Sequence, residues 1–214
     1  MNLTLEQAGA LLNKVGYAVT VANQNLRKIT KTPYDGYDEI KKVGERWVYG
    51  YMVIERTNTP YFQEKKQFST ENEATVYYFL RSLFIHYKDT IVLDFNRKHM
   101  IYIDPTVADP DPIYQAFQLA GIPRSKFCFN EPPTNTCMHL EQTAEDKCTI
   151  SLVVKGKVVR CLPFQDYPWG LSVAYSDTFL LHLFQTKLPK LLQSEGITEE
   201  LTAQDLDTYL YSYL

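Results

Sequence analysis

Apolar residues recur at three- and four-residue steps in some stretches of this chain and alternate with polar ones in others, so helices and strands are interleaved. A first helix opens at Thr4, with Gln7 three residues on completing a capping box; Leu5, Ala8, Leu11 and Leu12 form its apolar face and Gly16 ends it. Tyr17–Ala22 alternates and reads as a strand. Residues 23–44 are polar, contain Pro33, Gly36 and Gly44, and read as a long loop. Arg46–Arg56 carries the clearest strand pattern, with Trp47, Tyr49, Tyr51 and Val53 on one side and Val48, Met52 and Ile54 on the other. Apolar residues on both sides predict a strand central in its sheet. A turn at Asn58-Thr59-Pro60 returns Tyr61–Phe68 as a second strand. Thr70 and Glu73 then form another capping box, which opens a helix to about Tyr87 bearing Val76, Tyr77, Leu80, Leu83, Phe84 and Tyr87.

Further along, Thr90–Phe95 and Met100–Ile103 predict a hairpin around Asn96-Arg97-Lys98. Asp111 as N-cap and Pro112 as first residue open a short helix that Gly121 and Pro123 close. Phe127–Phe129 is a short strand, Pro132-Pro133 starts a linker-like turn, and Met138–Gln142 reads as an edge strand. Cys148–Val154 and Lys157–Leu162 form a hairpin around Lys155-Gly156. A two-residue loop sets Val154 opposite Lys157, Leu152 opposite Val159 and Ile150 opposite Cys161, which places the Cys148 and Cys161 thiols together in the core. Residues 163–175 read as a loop. Ser176 or Asp177 caps a helix bearing Phe179, Leu180, Leu183, Phe184, Leu188, Leu191 and Leu192, which Pro189 kinks or ends early. Thr202 and Asp205 cap a closing helix, Ala203–Leu214. The expected fold is α+β, an antiparallel sheet with packed helices. Hairpin-then-helix occurs at 46–87 and again at 148–192, which allows two ββα-type halves, 1–130 and 131–214, or one continuous sheet flanked by helices.

Composition changes this picture in three ways. With 214 residues and 45% hydrophobic side chains the chain can bury a sizeable core without disulfide or metal staples. Sixteen Tyr, each an apolar ring with a polar tip, suit half-buried sheet faces and binding surfaces. The net charge of −3 is unevenly spread: residues 1–107 carry 14 basic and 12 acidic side chains, residues 108–214 carry 8 and 13. No base follows Lys190, whereas Glu195, Glu199, Glu200, Asp205 and Asp207 do, so this end is expected to attract a basic partner. Basic residues cluster no further than short pairs such as Arg27-Lys28 and Lys41-Lys42, which argues against a nucleic-acid partner. No apolar run is long enough to span a bilayer, and Met1–Gln7 lacks the features of a secretory signal, so a cytoplasmic protein with no membrane partner is expected.

Candidate chemistry is sparse. Cys128, Cys137 and Cys148 with His139 lack the tight pairs of structural zinc sites, so free thiols and no metal or cofactor are expected. Cys137 and His139 would share one face of a strand, and Asp104, Asp109 and Asp111 cluster before prolines. These two sets are the only starting points for a small hydrolase or transferase. Asp before Pro is also ordinary turn chemistry, and no phosphate-binding glycine loop, zinc-protease or nucleophile-elbow motif is present, so no enzyme is expected. Two acidic, Tyr-rich segments remain as partner-binding candidates: Glu199, Glu200, Asp205, Asp207 and Tyr211 at the C-terminal end, and Tyr34, Asp35, Tyr37 and Asp38 near the N-terminal one. Tyr209 and Tyr213, four apart, would equally suit docking onto the core.

The stretch Trp47-Val48-Tyr49-Gly50-Tyr51-Met52-Val53-Ile54-Glu55-Arg56, followed by Phe68-Ser69-Thr70-Glu71-Asn72-Glu73-Ala74 and an aromatic helix, resembles small bacterial immunity proteins. These α+β proteins are encoded beside polymorphic or contact-dependent toxins. In several such families a Trp-bearing strand and a second strand lead into a helix with an acidic start. The resemblance covers residues 45–87 and transfers no functional residue. It implies binding and inhibition of a toxin domain without chemistry. A phage-encoded inhibitor of a host defence protein would make the same demands on the sequence.

Overall fold

The computed structural model describes residues 1–32, 34–54, 59–103, 109–133, 135–164 and 166–212. The fold is α+β, and the chain divides into two compact units, residues 1–83 with 191–201 and residues 84–190 with 202–214. The division falls inside two long helices, not near residue 130 where the polar Pro132-Pro133 stretch suggested it.

The first unit opens with α1 (Leu5–Lys14), whose capping box is formed: Gln7 N donates to Thr4 Oγ1 at 3.2 Å and Thr4 N to Gln7 Oε1 at 3.0 Å. Five antiparallel strands follow in chain order across one sheet: β1 (Val19–Ala22), β2 (Asn25–Lys28), β3 (Tyr37–Val43), β4 (Arg46–Val53) and β5 (Tyr61–Phe68). The long loop expected over residues 23–44 therefore contains two strands. β1 and β2 are joined by a two-residue turn in which Asn23 and Gln24 both have positive φ, the geometry that matches strand twist in tight hairpins. β2 and β3 each contribute one fully buried apolar side chain, Leu26 and Ile40, amid charged neighbours, too little alternation to announce a strand. β4 lies between β3 and β5, as its two apolar faces required. Leu26, Ile40 and Tyr49 align across the sheet on the covered face. There Tyr49 meets Tyr77 at 5.2 Å and Tyr78 at 6.4 Å, both edge-on, from α2 (Glu71–Tyr87). Glu73 N donates to Thr70 Oγ1 and Thr70 N to the Glu73 carboxylate, so the expected capping box starts this helix.

In the second unit the expected hairpin at 90–103 is absent. A π-helical turn, Lys88–Val92, extends α2 into α3 (Leu93–His99), which ends at Met100 in the left-handed conformation. Thr90, Ile91 and Val92 have strand-like side chains, but Thr90 Oγ1 bonds back to the His86 carbonyl at 2.6 Å and Phe95 packs against Phe179 at 5.2 Å. Tertiary packing thus overrides β propensity here. α4 (Asp111–Ala120) ends at Gly121 with φ 68°, as expected. Its start is one residue earlier than expected: Pro110 holds the cap position and Asp111 is already helical.

The second sheet runs β6 (Phe127–Phe129), β7 (Cys137–Ala144), β8 (Lys147–Val154) and β9 (Lys157–Phe164). β6 pairs with β7 in parallel and the rest are antiparallel, so β7 is interior, not the edge expected for Met138–Gln142. The β8–β9 hairpin begins in the expected register, Val154 opposite Lys157, then shifts at a bulge between Leu152 and Val153. Beyond it Cys161 faces Ser151 and Leu162 faces Ile150. One inserted residue turns every later side chain over, so Cys148 is buried while Cys161 is exposed. The expected placement of both thiols in the core therefore holds for Cys148 and is wrong for Cys161.

α5 (Tyr167–Gln193) occupies most of the expected loop at 163–175 and passes through Pro189 without ending. Pro189 removes one backbone donor, yet Leu188 and Leu192 on either side are buried, and that burial holds the last turn together. α6 (Ala203–Tyr211) carries the capping box expected of Thr202 and Asp205.

Candidate partner-binding surface

The C-terminal acids do not form an open negative surface. Asp205 is buried because its carboxylate accepts the Thr202 N–H at 2.9 Å and caps α6. Asp207 is buried and forked onto Arg160 of β9, Nε–Oδ1 at 2.5 Å and Nη2–Oδ2 at 2.7 Å. Tyr211 is 4% exposed, with Arg160 above its ring and its hydroxyl 4.0 Å from the Met138 sulfur. Glu195 pairs with Lys14 at 2.9 Å, and Glu199 lies 3.8 Å from the chain's amino group. Glu199 and Glu200 are exposed. The field expected from five uncompensated acids is thus largely neutralised by bases distant in sequence. Asp205, Asp207 and Tyr211 are structural residues, since α6 is amphipathic and its acidic positions fall on the inward side. Tyr209 is fully buried, so docking was the correct alternative for it; Tyr213 lies outside the described residues.

The N-terminal segment is different. Asp35 closes a turn by accepting the Thr32 N–H, and Tyr34 is 60% exposed. Gly36 passes so close to the Tyr51 side chain and the Met52 carbonyl that a Cβ there would collide with both. Tyr37 and Asp38 begin β3 and are half-buried, not parts of a loop. Tyr37 accepts a hydrogen bond from Arg27 Nη1 at 2.9 Å. Asp38 accepts one from the Tyr49 hydroxyl at 2.5 Å, and that hydroxyl in turn accepts from Arg81 Nε of α2 at 2.6 Å. Burial, reinforced by Asp38, holds the Tyr49 phenol well above the ordinary range, so it stays protonated and bridges carboxylate to guanidinium. Asp38 is therefore part of a brace joining β3, β4 and α2.

What this end of the sheet offers to solvent is aromatic. Tyr51 is 37% exposed and Tyr61 52% exposed. They lie diagonally on adjacent strands, on the face shared with Asp38, and Tyr34 stands in the turn leading into β3. Sequence alternation places Tyr51 on an apolar face with Trp47 and Tyr49 and makes no assignment for Tyr61; the exposure of both is set by tertiary packing, which no local pattern reveals.

The chemical candidates are not drawn together into a reactive centre. Cys137 Sγ lies 3.4 Å from Cys128 Sγ, and its thiol is pushed up to about 12 by burial first and by Cys128 second, the opposite of nucleophile activation. His139 stands beside Ser151 in register. Asp109 accepts the backbone N–H of Asp111 and serves the start of α4; Asp104 lies outside the described residues. No three His, Cys, Asp or Glu side chains among the described residues are placed to hold a metal ion. No helix among them is long and apolar enough to cross a membrane. These exposures set an expected labelling order. Cys161 should react with an aromatic disulfide reagent in the native state, while Cys137 and Cys148, its thiol pushed up to about 11 by burial, should react only on unfolding. Cys161→Ser should remove the fast phase, and a fast phase of unchanged size would show the β9 register to be wrong.

Compared with known proteins, the chain matches no family model and no curated sequence.

Proposed function

We propose that this chain is an immunity- or antitoxin-like protein that binds and inhibits a toxin domain and performs no chemistry itself. The observation carrying this reading is the exposed set Tyr34, Tyr51 and Tyr61 at one end of the five-stranded sheet, bordered by Asp35 and Asp38. Tyrosines held on rigid strands give large contact area at small entropy loss, the character of interface anchors. Support also comes from the stretch that resembles immunity proteins, which forms β4, β5 and a capped α2 and carries two of the three, Tyr51 and Tyr61. The C-terminal acids contribute less than their number suggested: Glu195, Glu199 and Glu200 are exposed as attractors for a basic partner, and Glu195 already pairs with Lys14.

The test is protection. Cells producing the C-terminal domain of a secreted toxin encoded beside this chain should survive when the chain is co-produced. Replacing Tyr34, Tyr51 and Tyr61 together by Ala should abolish that protection and speed dissociation of the purified complex by about 100-fold or more, with little change in association rate. Equal killing with and without the chain would overturn the function; an unchanged dissociation rate would move the interface elsewhere.

A further inference from the structure

β6 is three residues long, lies at one edge of the four-stranded sheet and pairs only with β7. The parallel register sets Cys128 beside His139, so Cys137, two residues earlier on β7, projects from the same face. The two thiols meet diagonally across the strands, Sγ to Sγ at 3.4 Å, the distance of a thiol–thiol hydrogen bond. Their surroundings differ. Cys137 is fully buried, whereas Cys128 is half-buried, so a small reagent reaches Cys128 first.

The sulfurs of a disulfide stand about 2.0 Å apart, so closing a bridge here needs an approach of about 1.4 Å. Neighbours placed diagonally across two strands stand roughly 7–8 Å apart at Cα, just beyond the ordinary disulfide range of about 4.4–6.8 Å. The backbone therefore has to yield slightly, and β6 is the part able to do so. It is short and bonded to a strand on one side only, whereas Cys137 is also held opposite Val153 of β8.

We propose that Cys128 and Cys137 form a reversible redox pair, which a small disulfide such as glutathione disulfide closes into an internal bridge. The Cys128 sulfur loses its proton and attacks one sulfur of the reagent. A Cys128–glutathione disulfide forms, and the departing glutathione thiolate takes up a proton. The Cys137 sulfur then gives its proton to solvent and attacks Cys128 Sγ, which releases the second glutathione as a thiolate that is protonated in turn. Two protein thiols are oxidised to one disulfide, and the reagent is reduced to two thiols. Burial, reinforced by Cys128, pushes the Cys137 thiol up to about 12, so it is a poor nucleophile toward free reagents. In the second step its target is a sulfur already beside it, and proximity offsets the small thiolate fraction. Closure pins the edge strand β6 to β7. Neither thiol belongs to the set Tyr34, Tyr51 and Tyr61, so the pair stands or falls apart from the toxin-binding reading.

The experiment treats the full chain carrying Cys161→Ser, which removes the exposed thiol, with glutathione disulfide under native conditions. Acid quenching, unfolding, alkylation and peptide mapping then follow. Of the three thiols left, Cys128 and Cys137 should be lost to alkylation together as one linked peptide pair, Cys148 should stay free, and dithiothreitol should restore both. Adding Cys137→Ser should stop the reaction at the first step, raising the glutathione adduct on Cys128 about tenfold or more over the C161S protein. Adding Cys128→Ser should leave Cys137 free of glutathione. The C161S protein decides the matter even if a substitution at the buried Cys137 disturbs folding, because its pairing is read directly. A lasting glutathione adduct on Cys128 with Cys137 still open to alkylation would overturn the proposal. So would all three thiols remaining free, or a bridge that includes Cys148.

Discussion

Replacing Tyr209 by Ala is expected to lower stability by about 3–5 kcal/mol, the largest single effect anticipated in this protein. Tyr209 is fully buried on α6, with its ring 5.8 Å from Phe84 and 5.1 Å from Phe184. Removing it leaves a ring-sized cavity between two elements distant in sequence, which cannot close without moving a helix. A domain of ordinary stability holds only about 5–15 kcal/mol in total, so the variant should be partly unfolded at 37 °C. Tyr209→Phe separates ring from hydroxyl. The hydroxyl has no hydrogen-bond partner among the described residues, so Phe should be neutral or slightly stabilising. Urea unfolding of the two variants measures both numbers; a Phe variant as unstable as the Ala one would show that the hydroxyl, not the ring, holds α6.

The second large effect depends on pH. Asp177 of α5 is 3% exposed, and burial raises its carboxyl to about 7 despite the opposing influence of Lys88 and a hydrogen bond from Tyr211. Its Oδ2 has no partner among the described residues. An unfolded Asp titrates near 4, so between roughly pH 4 and 7 the folded chain holds a proton that the unfolded chain has released. Stability from this residue is therefore full below about pH 4, falls as pH rises, and reaches its minimum above 7. Asp177→Asn cannot ionise and should lose that fall. At pH 8 it should be more stable than the parent by up to about 4 kcal/mol, reduced by whatever its extra amide N–H groups leave unsatisfied. At pH 4 the two should nearly coincide. His182, whose burial lowers its pKa, titrates alike in both proteins, so the difference between them isolates Asp177. Equal pH slopes for parent and variant between pH 5 and 8 would rule out an ionising Asp177 as the cause.

Most elements of this fold announce themselves locally. The capping boxes at Thr4, Thr70 and Thr202, the left-handed Gly121 and the apolar runs of β4, α2 and α5 are legible because each is set by residues within a turn or two of one another. Where the reading fails, a distant neighbour decides. β2 and β3 exist because pairing partners satisfy their backbones, and one fully buried apolar residue in each suffices. Thr90–Val92 is helical because Phe95 has Phe179 to pack on.

The candidate sites divide in the same way. The sequence by itself determined the α+β class, the starts of the three helices that open on capping boxes, and the absence of a recognisable catalytic motif, because those depend on composition and short-range spacing. Of the long loop it read over residues 23–44, Tyr34 and Asp35 do lie outside the strands with exposed side chains. Only the tertiary structure decided that Arg160, 47 residues away, takes Asp207 out of the surface, that one bulge sends Cys161 outward, and that Tyr51 and Tyr61 emerge beyond the covered part of their sheet. The physical reason is common to all three. Charge compensation, strand register and burial are properties of pairs of segments, and a one-dimensional pattern records which side chains can be buried but not which neighbour arrives to bury them.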